Sequence, residues 1–222
     1  MNDAPTFSNP DPACRRRRQL LRSAAGAAAV ALPMLWLPRP AAAQQRRSVT
    51  PRQTEGPFYP LQMPADSDAD LLVNGPLRYA GGQPAVVEGS VSDTDGRPLR
   101  GAVVEIWQCD AQGRYHHPGD GGRADRAFQG FGKVAVDNEG RYRFRTLRPV
   151  AYGGRAPHIH VKVKREGREL LTTQLYVQGD PGNERDFLFR GLASDAERAA
   201  LSAAFVPGSD GLRAQFPIVV AA

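Results

Sequence analysis

The sequence predicts an all-β fold: a β-sandwich with long loops and one short helix near the C-terminus. Three observations predict it. From Val86 onward, short runs rich in Val, Ile, Thr and aromatic residues alternate with Gly, Pro and Asp-Gly turn signals. One stretch alone, "SDAERAALSAAF" at 194–205, opens on a Ser/Asp cap and reads as a helix. The intervening segments, such as "GDGGRADRAFQGFG" at 119–132, are too glycine-laden for any regular element. Many short strands with hardly any helix fit two packed sheets.

The elements follow in chain order. Residues 1–43 read as an export leader: a four-arginine run at Arg15–Arg18, an apolar stretch from Ser23 to Leu37, and the small residues "AAAQ", with cleavage after Ala43. The apolar part is short and broken by Pro33, so it does not span a membrane comfortably. "RRRRQLLRS" fits the twin-arginine pattern, which marks export of an already folded protein to the periplasm or beyond. Residues 44–85, rich in Pro, Gly, Asp and Gln, form an extended arm with little regular structure. Residues 86–222 form the sandwich. "VVEGSVSD" and "AVVEIWQCD" are strands flanking the turn "TDGRPLRG", and "KVAVDNEGRYRFRTL" reads as a hairpin around Asn138, Glu139 and Gly140. "HIHVKVK" and "ELLTTQLYVQGD" are strands joined by "REGR", and "AQFPIVV" closes the chain as a strand.

Charge and cysteine content narrow the function. The leader's six arginines and two aspartates supply +4 of the formal net charge of +6. The remaining +2 gives no case for nucleic-acid binding, and nothing in the mature part calls for a membrane. Cys14 lies in the leader, which leaves Cys109 alone and without an internal disulfide partner, so the core must hold the fold.

His158 and His160 stand two apart in a strand and therefore project from one face, with Ile159, Val161 and Val163 on the other. Such a pair can present two imidazoles to one metal, or be merely two rings on a pleat. The chain has four histidines, the others being His116 and His117, and no Cys, Asp or Glu nearby completes a familiar zinc set. The candidates close by are Tyr115 and Tyr152. Phenolate is a hard anionic donor with a free pKa near 10, so it binds well only to a strong Lewis acid, of which ferric iron is the obvious one. Trp107 and Phe144 read as core aromatics, Tyr176 as structural, and Cys109 as a small buried side chain.

"EIWQCDAQGRY", "PVAYGGRAPHIH" and "LLTTQLYVQGD", preceded by "TEGPFYP", resemble in order the signature stretches of the intradiol ring-cleavage dioxygenases, the non-haem iron(III) family that includes catechol 1,2-dioxygenase and protocatechuate 3,4-dioxygenase. The resemblance runs from about Thr54 to Asp180. It implies a β-sandwich that binds one Fe(III) through Tyr115, Tyr152, His158 and His160. It also implies catalytic roles for Tyr152, the tyrosinate released when substrate arrives, for Arg155, which stabilises developing negative charge, and for Gln174 behind it. The implied reaction opens a catechol-type ring with O₂ between its two hydroxyl-bearing carbons, giving a muconate-type diacid. Five residues separate Tyr152 from His158, fewer than in the better-known members, which implies a more open mouth. Arg123 and Arg126 are candidates to greet a substrate carboxylate. The identity of the diol and the oligomeric state, a homo-oligomer included, stay open.

A reading from another class competes. Val86 to Tyr115 also resembles transthyretin-like and carboxypeptidase-regulatory-like modules, exported sandwiches that bind without catalysing. That reading leaves the clustered Tyr, Arg and His of "PVAYGGRAPHIH" unexplained. A catalytically inactive metal-binding relative is the third.

Overall fold

A computed structural model describes residues 46–222; the predicted leader and its cleavage site lie outside the described residues. The elements, in order, are β1 (Val73–Asn74), β2 (Leu77–Arg78), β3 (Pro84–Asp93), β4 (Ala102–Trp107), β5 (Phe131–Ala135), β6 (Arg141–Leu147), β7 (His158–Arg165) and β8 (Arg168–Val177). Helices α1 (Phe187–Arg190) and α2 (Asp195–Ala200) follow, then β9 (Ser202–Ala203), β10 (Val206–Gly208), β11 (Gly211–Gln215) and β12 (Ile218–Val220).

Two five-stranded sheets enclose the core. In the first, β3 pairs antiparallel with β6 and parallel with β11 and β12, while β10 pairs with β11. In the second the order is β5-β4-β7-β8-β9. Val87, Val91 and Phe144 of the first sheet pack against Val104, Ile106, Ile159 and Val161 of the second, all buried. β11 and β12 share one register along β3, interrupted at Phe216 and Pro217, where proline has no N–H to give a ladder.

The all-β sandwich is as the sequence predicts, and α2 begins at the predicted cap, with Ser194 accepting from Glu197 N–H. The hairpin is not. β5 pairs with β4 and β6 with β3, so the turn at Asp137–Gly140 carries the chain from one sheet to the other. The segment before β4 makes the same crossing. Alternation reveals which face of a strand is buried, but not which strand lies beside it.

β7 decides where the site can be. Ile159, Val161 and Val163 fill the core, so His158, His160, Lys162 and Lys164 face outward. Register places Tyr176, Gln174 and Thr172 of β8 opposite His158, His160 and Lys162, and Trp107 of β4 opposite His160. That outer face is not left to solvent. The arm carries the small β1–β2 hairpin but is otherwise irregular; it starts on the first sheet, where Thr50 N–H donates to Val219 O of β12, and passes over the second, where Gln53 N–H donates to Thr172 O of β8 and Lys133 N–H of β5 donates to Ser67 O. Beneath it lies a second buried cluster of Trp107, Cys109, Tyr115 and Phe131, packed by Phe58, Tyr59, Val150 and Tyr152. The described residues, 46–222, form one unit, and among them no helix is long and apolar enough to cross a membrane.

At Gly89 a side chain would run into the carbonyl oxygen of Phe216 and the Tyr142 hydroxyl, which itself donates to Phe216 O at 2.6 Å. The Phe216 carbonyl is backbone, and the Tyr142 hydroxyl is tied to it, so neither yields readily. Gly89→Ala is therefore expected to destabilise the fold by about 1–3 kcal/mol, seen as a lower urea midpoint with an unchanged slope.

Candidate metal centre

The two histidine rings meet tip to tip. Ala156 O accepts from His158 Nδ1–H at 2.6 Å, which leaves the Nε2 lone pair free, and that Nε2 lies 3.2 Å from His160 Nε2. With metal–nitrogen bonds of roughly 2.1 Å, adjacent ligands of one ion stand about 3 Å apart. Burial holds both imidazoles neutral, the form that coordinates: the His158 pKa falls to about 4, with Arg155 contributing, and that of His160 goes well below its usual value, with the His158 ring and Arg155 contributing.

The tyrosines close on the same point. The Tyr115 ring lies 5.0 Å from that of Tyr152 and 6.1 Å from that of His160, and the Tyr152 ring lies 5.4 Å from that of His158. Tyr115 is buried and its hydroxyl has no hydrogen-bond partner. Burial first, then the adjacent Tyr152, push the Tyr115 phenol well above its usual pKa, and burial raises Tyr152 as well. Neither loses its proton readily without a cation. The donor set fits a small, highly charged ion: two neutral imine nitrogens and two phenols that only a strong Lewis acid would ionise. Among the described residues no group of three or more His, Cys, Asp or Glu gathers that could hold a metal.

The ligand candidates are held from behind. Trp107 stacks on His160 with planes 7° apart and centroids 4.8 Å apart, and Tyr59 meets the Trp107 face edge-on at 5.0 Å. The Tyr59 ring carries Lys162 Nζ 3.9 Å from its centroid, and its hydroxyl donates to Glu105 and accepts from Lys164, both at 2.9 Å. Lys162 also pairs with Glu55 of the arm. Gly56, at φ +74°, brings the arm's backbone so close that a Cβ would sit 3.2 Å from the His160 ring. The conspicuous glycine of "TEGPFYP" is thus placed by contact with His160. Phe58 stacks on Tyr115 at 4.6 Å.

Arg155 sits in a network rather than at a solvated loop tip. It donates to Asp186 Oδ2 through Nε and to Gln174 Oε1 through Nη2, both at 2.7 Å, and to the Tyr176 hydroxyl at 3.2 Å. Tyr176 in turn donates to Gln53 at 2.8 Å. Burial alone would raise the Asp186 carboxyl, but Arg155 and the N–H groups of Phe189 and Ala156 outweigh it and hold the pKa below the usual value.

The structure thus brings Tyr115, Tyr152, His158 and His160 together, with Arg155 and Gln174 beside them. Sequence reasoning missed Asp186, whose chain position reads as the cap of α1, a role it also fills by accepting from Leu188 and Phe189 N–H. It also assigned Tyr176 and Trp107 to structure alone; one joins the arginine network and the other backs a candidate ligand. Cys109 is buried, its thiol pushed up to about 12 chiefly by burial, and so inert.

The dioxygenase family's sequence profile matches residues 54–201. This chain belongs to the intradiol dioxygenases. It is 34% identical over 159 residues to catechol 1,2-dioxygenase 1 of Acinetobacter lwoffii, covering 63% of this chain and 50% of that one. It is 36% identical over 167 residues to the protocatechuate 3,4-dioxygenase beta chain of Burkholderia cepacia, covering 68% and 69%. Among solved structures it is similar to the dioxygenase domain of a dioxygenase carbohydrate-binding protein fusion from Streptomyces sp. SirexAA-E, with 32% identity, a TM-score of 0.62, and coverage of 78% of this chain and 99% of that domain. The chain spans about half the length of the curated catechol 1,2-dioxygenases it matches.

Asp186 supplies a test of the network. Asp186→Asn leaves a buried guanidinium without its anion and is expected to cost about 3 kcal/mol at pH 7. The folded-state pKa of Asp186 lies below the unfolded one, so its contribution is complete above about pH 4 and fades as pH falls through the folded value. Urea unfolding of the metal-free chain should therefore show a large wild-type advantage at pH 7 that shrinks toward pH 2.

Proposed function

We propose that this chain is a non-haem iron(III) intradiol dioxygenase: it binds one ferric ion through Tyr115, Tyr152, His158 and His160 and opens a catechol-type ring with O₂ to a muconate-type diacid. The observation that carries the reading is a pair of imidazole Nε2 atoms 3.2 Å apart, beside the ring of Tyr115, whose buried hydroxyl has no partner. A binding module gains nothing from burying such a group, which costs stability unless something is bound there.

Bound iron would supply Lewis acidity and an electronic path between diol and O₂. The protein's own groups do the rest. Tyr152, less buried than Tyr115, accepts at its Oη one of the two protons that a diol must lose to bind as a dianion. Arg155, kept charged and oriented by Asp186 and Gln174, offsets negative charge that develops on the opening ring, an effect of a few kcal/mol in preorganised sites. Trp107 fixes the plane of His160, and Phe58 covers the Tyr115 ring, so both donors stay dry.

Export in the folded state by the twin-arginine route is part of the proposal. It rests on the arginine run and apolar stretch of residues 1–43, and recovery of the mature protein from the cytosol would contradict it.

The full chain loaded with ferric iron should be red-brown from phenolate-to-iron charge transfer, consume O₂ with catechol, and place both atoms of ¹⁸O₂ in the ring-opened product. Tyr115→Phe should bleach the colour and lose most of the iron, and His158→Ala should strip the metal. A colourless loaded protein that takes up no O₂ with any diol would contradict the reading.

A further inference from the structure

Arg155 and its acceptors meet the arm at two residues, Gln53 and Thr54, that the proposed chemistry does not use. Nη2 of Arg155 donates to Gln174 Oε1 at 2.7 Å and to the Tyr176 hydroxyl at 3.2 Å. Neither acceptor fixes its own direction. An amide can present its nitrogen instead of its oxygen, and a hydroxyl can turn its proton toward a donor instead of away from it. The arm decides both. Thr54 O accepts from Gln174 Nε2 at 3.1 Å, which turns Gln174 Oε1 to the guanidinium. Gln53 Nε2 donates to Leu188 O at 3.2 Å, so Gln53 Oε1 faces Tyr176 and accepts the hydroxyl proton at 2.8 Å. With its proton on Gln53, the Tyr176 hydroxyl has only lone pairs to show Arg155. The arm is seated where this can happen. Gln53 N–H donates to Thr172 O at 2.9 Å, and Pro51 O accepts from the Thr173 hydroxyl at 2.7 Å, so the arm lies along β8, the strand of Gln174 and Tyr176. Leu188 belongs to α1, whose cap Asp186 takes Arg155 Nε–H. One half-buried amide thus ties the arm, α1 and β8 together at the arginine.

We propose that Gln53 is a positioning residue for Arg155: by taking the Tyr176 proton it keeps both uncharged acceptors, Gln174 Oε1 and the Tyr176 hydroxyl, turned to the guanidinium. The inference rests on the reading of Arg155 as the group that offsets negative charge on the opening ring. Asp186, Gln174 and Tyr176 engage Nε and Nη2, which makes Nη1 the nitrogen left to meet a substrate. Its direction follows from the plane these acceptors impose. Without Gln53 Oε1, the hydroxyl proton turns to Gln174 Oε1, 3.0 Å away, and competes there with Arg155 Nη2. The guanidinium then keeps its carboxylate but loses the anchor that sets its tilt. A small misplacement of a charged group from the place where charge develops costs rate more than binding.

Nuclear magnetic resonance reads the guanidinium without iron. In the ¹⁵N-labelled, metal-free full chain the Arg155 Nε–H resonance, assigned by its loss in Arg155→Lys, should move in Gln53→Leu. It should move in Tyr176→Phe as well, and adding Gln53→Leu to Tyr176→Phe should move it no further, because Gln53 acts through that hydroxyl. Arg52→Ala removes a neighbouring tie of the same arm, to Leu170 O and Glu169, without touching the network, and should leave the resonance in place. In the iron-loaded chain Gln53→Leu should lower kcat with catechol about tenfold, the scale of one lost hydrogen bond, at unchanged KM and iron content. An Nε–H that ignores Gln53→Leu, moves equally in Arg52→Ala, or moves further in the double variant overturns the inference. So does a loss of iron or a raised KM in place of the fall in kcat. If the resonance behaves as expected but the loaded wild type opens no diol, the dioxygenase reading fails and the positioning of Arg155 by Gln53 stands.

Discussion

The alternation of side chains along β7 is the constraint on which the rest of the structure depends. One face, Ile159, Val161 and Val163, must enter the sandwich core. The other, His158, His160, Lys162 and Lys164, is thereby fixed outward, with its β4 and β8 neighbours fixed by register. A metal site between the sheets is excluded by that periodicity. It has to be built on the outside of the second sheet, where water would compete for every donor, unless a second layer covers it. The arm supplies the layer.

Coverage explains the polar ties that hold the arm down. Lys162 and Lys164 could have reached solvent. Instead they anchor Tyr59 and Glu55, so that Tyr59 presses on Trp107 and Trp107 lies flat on His160. The same layer dries the Tyr115 hydroxyl and both imidazoles. Drying has a cost: partnerless polar atoms in a buried cluster destabilise the protein until a cation joins them. A cation that bound the folded chain and not the unfolded one would stabilise the fold by mass action, so the proposed metal loading would be coupled to folding.

The sequence made the fold class legible because turn residues and alternating runs are local signals. It also marked Tyr115, Tyr152, His158 and His160 as candidate donors, since each lies within a short stretch of unusual composition. What lay beyond reach depends on sheet partners and on chain far away. The segments either side of Asp137–Gly140 look like a hairpin, yet each has a better partner elsewhere. Asp186 is 31 residues from Arg155 and doubles as a helix cap, so nothing near it announces a counter-ion. Trp107 reads as an ordinary core aromatic because its strand is mostly apolar; the register of β4 against β7, which sets it opposite His160, is not written in either stretch.

Resonance Raman spectroscopy of the iron-loaded full chain tests the central claim most directly. Excitation within the visible band should enhance ring vibrations of two distinct tyrosinates, and one set should vanish in Tyr152→Phe. Iron bound tightly with no tyrosinate vibration enhanced, or a spectrum indifferent to loss of either Tyr115 or Tyr152, would contradict it.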